Sequence, residues 1–379
     1  MTLTQHFKDF FKSEKTGGFI LILCTIVSLV ISNTTNGNAY IQFWETDFQG
    51  HSITHWINDG LMTIFFLLIG LELEREIYVG ELSNFKNALF PAISAVGGVI
   101  VPACIYLIYN YGSETQSGAG IPMATDIAFA IGILSLLGSA VPPQLKVFLT
   151  ALAVIDDLCA ILIIAFFYTD HLSFLNLFIS LGIFIILIVL NRLKIHHFFP
   201  YLIGAILMWY FMLQSGVHAT ISGVMLAFVI PFGDGSEKTI SYKLQHKLHY
   251  PVAFVILPLF ALANTCIIFK FNWLSGLSSN ISSGIIAGLT VGKPIGIILF
   301  SSLAVYLGLT TIPKGLTWKH IAGVSLLAGI GFTMSIFITL LAFEDKSIID
   351  TGKIAIIFAS AVSAISGLIT LKLVLISKK

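Results

Sequence analysis

Two adjacent carboxylates, Asp156 and Asp157, lie at the centre of a long and predominantly apolar stretch, residues 145–168. An ionised carboxylate at the centre of a membrane-spanning helix costs about 2.5–3.5 kcal/mol. Both acids lie too far from the ends of the stretch for helix capping or snorkelling to explain them. Consecutive residues of a helix point about 100° apart. We therefore expect one acid to face an aqueous ion path and the other to contact a neighbouring helix.

Few other charges lie within the apolar runs. The central ones are Asp126 and Lys293, and Lys293 is the only cation among them. Lys293 can pair with Asp156 or with Asp126, and the sequence leaves both partners open. The hydroxyl of Thr125 is a further candidate ligand. The alternative for Asp126 and Lys293 is structural, since such charges offset the partial charges of backbone N–H and C=O groups at helix ends.

A second set of titratable residues lies near the ends of two apolar runs, at spacings that place them on common helix faces. Its members are Glu72, Arg75, Glu76, His246 and His249. They form either an interfacial salt-bridge cluster with idle surface histidines or a pH sensor, because histidine titrates near neutrality.

The composition indicates that these residues lie in membrane-spanning helices. The 379-residue chain is 56% hydrophobic and 10% charged, whereas soluble globular proteins carry about 25% charged residues. Apolar runs long enough to cross a bilayer as helices recur throughout. They predict an all-α polytopic membrane protein with one integral domain, 1–379, and twelve transmembrane helices. The predicted spans are 16–33, 55–77, 88–110, 120–138, 145–168, 174–192, 198–213, 217–231, 250–269, 284–307, 319–343 and 354–376.

Positive charge orients these spans. With the N-terminus inside, sixteen of the twenty Lys and Arg residues fall on the cytoplasmic side, and Lys270, Lys346 and Lys353 fall on the outer side. Basic residues accumulate in cytoplasmic loops, so both termini are predicted to be cytoplasmic. A net charge of +1 gives no indication of nucleic-acid binding. The four cysteines lack metal-ligand spacing, and no cofactor is predicted.

Spans 4 and 11 are interrupted. Span 4 contains Pro122, Thr125 and Asp126, and span 11 contains Gly329 and Gly331. Interruptions in a pair of spans indicate discontinuous helices at a transport site. Because the two spans run in opposite directions, an inverted repeat relating helices 3–5 to helices 10–12 would make them partners. The same repeat would pair span 5, with its two acids, and span 10, with its lysine.

Three outer-side features are less defined. The loop 34–50 is either a short hairpin, since it contains an Asn-Gly pair, or an irregular polar loop. Asp59 is predicted to cap or begin span 2, with a role as a modulator as the alternative. His218 lies at the outer start of span 8 and is either idle or a second modulator.

A buried acid pair binds hard cations through its oxygen atoms, and it also binds protons. Such a site holds either a sodium-sized cation or protons, but not comfortably both. If the empty, charged site crosses the membrane reluctantly, each occupant exchanges for the other. The residues therefore predict a cation/proton antiporter.

Several segments resemble those of NhaA-type sodium/proton antiporters. They are WINDGLMTIFFLLIGLELERE, GIPMATDIAFAIG, LTALAVIDDLCAI, SGVHATISG, VGKPIGI and GIGFTMSIFI. The resemblance covers nearly the whole chain in the expected order. It implies a bacterial inner-membrane protein with crossed, discontinuous helices 4 and 11. It also implies electrogenic, pH-regulated exchange of Na+ or Li+ for more than one proton, serving sodium and pH homeostasis.

The resemblance also implies roles for individual residues. Asp157 and Asp156 are implied to bind the cation and protons, and Lys293 to pair with Asp156. Asp126 and Thr125 match the acid and the hydroxyl in the break of helix 4. The residues implied to sense pH are Glu72, Arg75, Glu76, His246 and His249. Asp59 matches a family acid in helix 2, with a modest role.

The same resemblance shows one difference from the family pattern and implies a homodimer. Gln245 stands where the family pattern has an acid beside the first histidine, which leaves the pH of activation open. The loop 34–50 matches a hairpin through which homodimers form.

Three other classes compete with an antiporter. An intramembrane aspartyl protease would use Asp126 and Asp157 as its dyad, but it would want a GxGD-type motif and would leave Lys293 without a role. A cation channel would not need the lysine partner. A transporter that couples sodium to an organic solute would need a larger polar pocket.

Overall fold

The structure, a computed structural model, describes residues 3–168, 172–195, 197–269 and 276–376. Lys270, which the charge distribution placed on the outer side, lies outside the described residues. The described chain is mostly helical, at 78%, and the prediction of an all-α polytopic membrane protein is confirmed.

Fourteen helices within the described residues are labelled α1–α14 in chain order. They are α1 (Leu3–Ser32), α2 (Gly37–Glu45), α3 (Ile53–Tyr78), α4 (Phe85–Asn110), α5 (Ile127–Ser135), α6 (Pro143–Phe167), α7 (Phe174–Arg192), α8 (Phe198–Leu213), α9 (Ile221–Ala227), α10 (Ile240–Asn264), α11 (Asn280–Tyr306), α12 (Trp318–Ala328), α13 (Phe332–Ala342) and α14 (Lys346–Ile376). Short 3₁₀ helices occupy Glu81–Ser83, Gln116–Met123 and Gly138–Ala140.

Eight apolar helical segments of the described chain are long enough to cross a bilayer, and counting two bent helix pairs as one span each raises the number to ten. Helix α8 is apolar but has only 16 residues. The predicted span 217–231 contains the seven-residue helix α9, flanked by turns. A helix of that length rises only about 10 Å. The count of twelve spans therefore stays a prediction.

The predicted interruptions of spans 4 and 11 are present. In span 4, the 3₁₀ helix Gln116–Met123 and helix α5 are separated by extended backbone at Ala124 and Asp126. In span 11, helices α12 and α13 are bent by 44° at residues 329–331. Gly329 is required there, because a Cβ at this position would meet the carbonyl oxygen of Leu289.

Helices α4 and α11 approach each other at Gly97 and Gly296. A Cβ on either glycine would meet the backbone carbonyl oxygen of the other. This contact places Lys293, one turn earlier on α11, beside the break in span 4. It also brings α4 to α6, since a Cβ on Gly98 would lie 3.9 Å from Oδ1 of Asp156.

Three π-helical stretches widen the long helices within the described part of the chain. They cover Trp56–Leu61 in α3, Val252–Ile256 in α10 and Gly288–Gly292 in α11. Such bulges occur frequently at functional sites. Here the third one ends immediately before Lys293, and the second one follows His249 by three residues.

Segment 34–50 differs from both expectations. Residues Gly37–Glu45 form helix α2, bent by 116° from α1, because NAYIQFWE is a helix-compatible run that buries Trp44. A small antiparallel hairpin follows instead, in which Asp47–Phe48 pairs with His51–Ser52. Its turn has positive φ at Gln49 and Gly50, as a type I′ turn requires.

Candidate ion-binding site at the helix crossing

Asp126 lies where two half-helices begin. It caps helix α5, since its Oδ1 accepts a hydrogen bond of 2.9 Å from the backbone N–H of Phe129. Its Oδ2 accepts hydrogen bonds from the N–H and the hydroxyl of Thr333, at 3.0 and 2.6 Å, at the start of α13. Helix N-termini carry a partial positive charge. The buried carboxylate of Asp126 therefore offsets the N-terminal ends of both half-helices.

Lys293 lies at the opposite, carbonyl side of the crossing. Its Nζ donates a short hydrogen bond to the carbonyl oxygen of Met123, where the 3₁₀ helix of span 4 ends. The same Nζ lies 2.9 Å from Oδ2 of Asp156, and both side chains are fully buried. The sequence left the partner of Lys293 open between Asp156 and Asp126; the geometry assigns it to Asp156.

Thr125 connects the acid pair to the second broken span. Its hydroxyl oxygen lies 2.7 Å from Oδ2 of Asp156 and 2.9 Å from the carbonyl oxygen of Ala328, at the end of α12. A hydroxyl has one proton, so these two acceptors share it. Backbone bonds complete the connection, because Asp126 N–H donates to the carbonyl oxygen of Ile330 over 2.7 Å.

Each acid of the pair has one carboxylate oxygen that could accept a further ligand. Oδ1 of Asp156 and Oδ1 of Asp157 are buried, and neither has a hydrogen-bond partner among the described residues. A buried carboxylate oxygen without a partner is costly. Both atoms would gain from a proton or a cation, and both lie on consecutive residues of α6.

Asp157 faces an open cavity, whereas Asp156 faces Lys293. The cavity has a volume of about 50 Å³ and is lined by helices α3, α5, α6, α10 and α13. Its polar lining consists of Glu72, Asp126, Asp157, His249 and Thr333. We call it the funnel. One acid thus lines a cavity and the other contacts a neighbouring helix, and the 100° spacing predicts that the two acids face different surroundings.

The predicted pH-sensing residues come from α3 and α10, two of the helices that line the funnel. Glu72, Arg75 and Glu76 are half-buried at the end of α3, and His246 and His249 lie near the start of α10. Glu72 and His249 line the funnel. Arg75 and His246 instead contact an aromatic ring, that of Tyr242.

Asp59 and His218 do not line the funnel. The expectation that Asp59 caps or begins its helix is wrong, because α3 begins at Ile53 and Ser52 is its cap. Asp59 lies in the π-helical stretch, with its Oδ2 3.2 Å from Nδ1 of His55. Nε2 of His218 lies 2.6 Å from the carbonyl oxygen of Tyr168.

Two hydroxyl residues of the crossing were missed from the sequence. Thr333 donates to Asp126, and the hydroxyl of Ser335 donates to the carbonyl oxygen of Ile121 over 2.7 Å. Their signal was available, since they are the first hydroxyl residues after the glycine break of span 11. No group of three or more His, Cys, Asp or Glu side chains suited to a metal ion occurs within the described ranges. A bound cation would therefore take hydroxyl, carbonyl or water oxygens besides the acid pair.

A family model described as Na+/H+ antiporter 1 matches residues 8–371. This chain belongs to that family. The Na(+)/H(+) antiporter NhaA 1 of Flavobacterium johnsoniae is 64% identical over 379 residues, covering 100% of both chains. The Na(+)/H(+) antiporter NhaA of Cytophaga hutchinsonii is 60% identical over 375 residues, covering 99% of this chain and 97% of the relative. The predicted resemblance is confirmed at the level of the family.

The fold also resembles a solved structure. The sodium proton antiporter MjNhaP1 from Methanocaldococcus jannaschii superposes with a TM-score of 0.57 at 16% identity, covering 97% of this chain and 100% of that one. At this identity the likeness concerns the fold alone.

Proposed function

We propose that this protein exchanges Na+ or Li+ for protons across the bacterial inner membrane, with Asp156 and Asp157 as the shared binding pair. The observation that carries the proposal is the pair of unpartnered carboxylate oxygens, one on each acid, with Asp157 lining the funnel. The family supports it, as do the names of the relatives.

Competition for the same oxygen atoms provides the exchange. A hard cation binds ionised carboxylates, whereas protons neutralise them and remove the attraction. With Asp156 and Asp157 ionised and Lys293 charged, the empty site has a net charge of −1. Moving that charge through a low-dielectric barrier is costly. A site occupied by a cation or by protons crosses more readily, so transport in one direction requires an occupant in the other.

Two separate acidic groups support the transfer of more than one proton per cation. Asp157 is one, and Asp156, which pairs with Lys293 when it is ionised, is the other, because both carboxyls release a proton to water before the ionised pair binds a cation and Lys293 stays charged. Exchange of one Na+ for more than one H+ moves net charge and is electrogenic. Thr125 supplies a neutral oxygen beside Asp156, and Asp126 remains the compensating charge of the crossing.

Regulation and orientation complete the proposal. Glu72, Arg75, Glu76, His246 and His249 adjust activity to cytoplasmic pH, and Asp59 and His218 modulate it from the other side. Both termini are cytoplasmic. The outer segment of α2 and its hairpin joins two copies of the chain in a homodimer.

The test uses everted membrane vesicles from cells that lack other sodium/proton antiporters, with a pH-sensitive dye and an imposed proton gradient. Sodium is added to wild type, Asp157→Asn and a control, Asp234→Asn, in an exposed loop. We expect sodium to dissipate the gradient in wild type and in the control, but not in Asp157→Asn. Activity of Asp157→Asn equal to wild type would refute the assigned site. No sodium-linked proton movement in wild type at any pH would refute the function.

A further inference from the structure

Arg75 of α3 contacts Tyr242 of α10, and the proposed exchange mechanism does not involve this contact. The guanidinium carbon of Arg75 lies 4.7 Å from the centroid of the Tyr242 ring. The ring of His246 lies parallel to the same ring, with centroids 6.2 Å apart and planes at 6°. A cation over the face of a tyrosine ring within about 6 Å is attracted by the ring quadrupole. Tyr242 therefore holds Arg75 by an interaction with its face.

The neighbouring residues fix Tyr242 in this place. Thr239 caps α10 by accepting a hydrogen bond from the backbone N–H of Tyr242. The hydroxyl of the buried Ser241 lies 3.4 Å from Oε2 of Glu74, one residue before Arg75. Two consecutive residues of α10 thus contact two consecutive residues of α3. The start of α10 therefore packs against the end of α3 through two side-chain contacts.

The position of Arg75 matters because Glu72 lines the funnel. Residues three apart on a helix are neighbours, and opposite charges at that spacing attract. An Arg75 side chain that is not held elsewhere would pair with Glu72. That pairing would neutralise a carboxylate on the path of a cation to Asp157.

We infer that Tyr242 is a positioning residue that keeps the guanidinium of Arg75 away from Glu72 and thereby leaves the Glu72 carboxylate available to cations entering the funnel. The inference rests on the proposed cation exchange. The residue acts through Arg75 and touches neither the cation nor the acid pair. Its loss changes the sodium concentration required for transport, and not the rate at saturating sodium.

Four variants test this chain of contacts in the vesicle assay. Tyr242→Leu is expected to raise the half-saturating sodium concentration about threefold, which is the order of one exposed cation–π contact. Tyr242→Phe keeps the ring face and is expected to match wild type. Arg75→Gln is expected not to raise the half-saturating concentration, and Tyr242→Leu in the Arg75→Gln background is expected to add nothing. Tyr306→Leu, at an exposed end of α11, is the control for the loss of a tyrosine.

The double variant separates this role from a merely structural one. If Tyr242 only stabilised the fold, Tyr242→Leu would impair transport to the same extent with and without Arg75. That outcome would overturn the inference, as would a Tyr242→Leu variant with unchanged half-saturating sodium or a Tyr242→Phe variant as impaired as Tyr242→Leu.

A second measurement reads the contact without transport. The unfolding midpoints of the purified proteins in detergent give the coupling between positions 75 and 242 from the same four-member cycle. Favourable coupling supports the contact, and its absence overturns the inference. If the cycle shows coupling but wild type shows no sodium-linked proton movement, the proposed function and the role of Tyr242 in cation access are both refuted. The contact between Arg75 and Tyr242 would still be supported.

Discussion

Replacing Thr333 by Val removes one hydroxyl donor from Asp126 and changes the volume of the side chain very little. The hydroxyl lies 2.6 Å from Oδ2 of Asp126, within a fully buried crossing. Hydrogen bonds to charged groups contribute about 1.5–3 kcal/mol. The backbone N–H of Thr333 and that of Phe129 still donate to the carboxylate, so the acid is not left unpaired. We therefore expect Thr333→Val to lower the free energy of unfolding by about 2 kcal/mol.

Helix α13 offers a matched control. Thr339 is equally buried, but its hydroxyl donates within the helix, to the carbonyl oxygen of Ser335 over 2.7 Å. A neutral hydrogen bond contributes about 0.5–1.5 kcal/mol, so Thr339→Val should be milder. Thr333→Ser keeps the donor and should lie closer to wild type than Thr333→Val.

Thermal unfolding of the purified protein in detergent measures the difference. A change of 1 kcal/mol shifts the midpoint by about 2 °C in a chain of this size, extending the trend for smaller domains. Thr333→Val should therefore unfold about 4 °C below wild type and below Thr339→Val. Equal midpoints for the two valine variants would show that Asp126 does not depend on the hydroxyl across the crossing, and the charge-compensation argument would fail.

Three further outcomes are expected in the same detergent assay. Lys293→Met should lower the free energy of unfolding by about 3–5 kcal/mol, because it leaves the buried Asp156 carboxylate without its cation. Adding Asp156→Asn should recover most of that loss. A double variant no more stable than Lys293→Met alone would contradict the ion pair. Gly296→Val should prevent stable folding, because its side chain would occupy the space of the Gly97 carbonyl; near-normal yield would contradict the close approach. A Cβ added at Gly182 in α7 meets nothing within 4 Å among the described residues, so Gly182→Ala should leave the free energy of unfolding unchanged or raise it by about 0.5–1 kcal/mol; a large loss would show a contact at this position.

The sequence was sufficient for the features that depend on charge in an apolar setting. Charged residues inside a bilayer are expensive, so each one of them is visible, and Asp126, Asp156, Asp157 and Lys293 meet around one crossing. The breaks were equally visible, because glycine and proline leave helices incomplete in a way that must be compensated nearby.

The sequence was insufficient where polarity does not decide the structure. Residues 37–45 are compatible with a hairpin, a loop or a helix lying on a surface, and only packing of Trp44 selects the helix. The position of Thr333 just after the glycine break of span 11 marks it as a candidate, but its role depends on a partner 207 residues away that the sequence does not identify. Tyr242 was invisible for the same reason, because its partner lies on another helix.

The two sides of the crossing differ in how they respond to an occupant. On the N-terminal side, both oxygens of Asp126 are already satisfied by donors of α5 and α13, so a cation there would have to displace them. On the carbonyl side, Oδ2 of Asp156 receives both Lys293 and Thr125. A cation that binds Asp156 competes with both donors, and these donors also hold the carbonyl oxygens of Met123 and Ala328. If the acid pair binds a cation as proposed, its occupancy is transmitted to the ends of both broken spans through Lys293 and Thr125, while Asp126 keeps the opposite ends together.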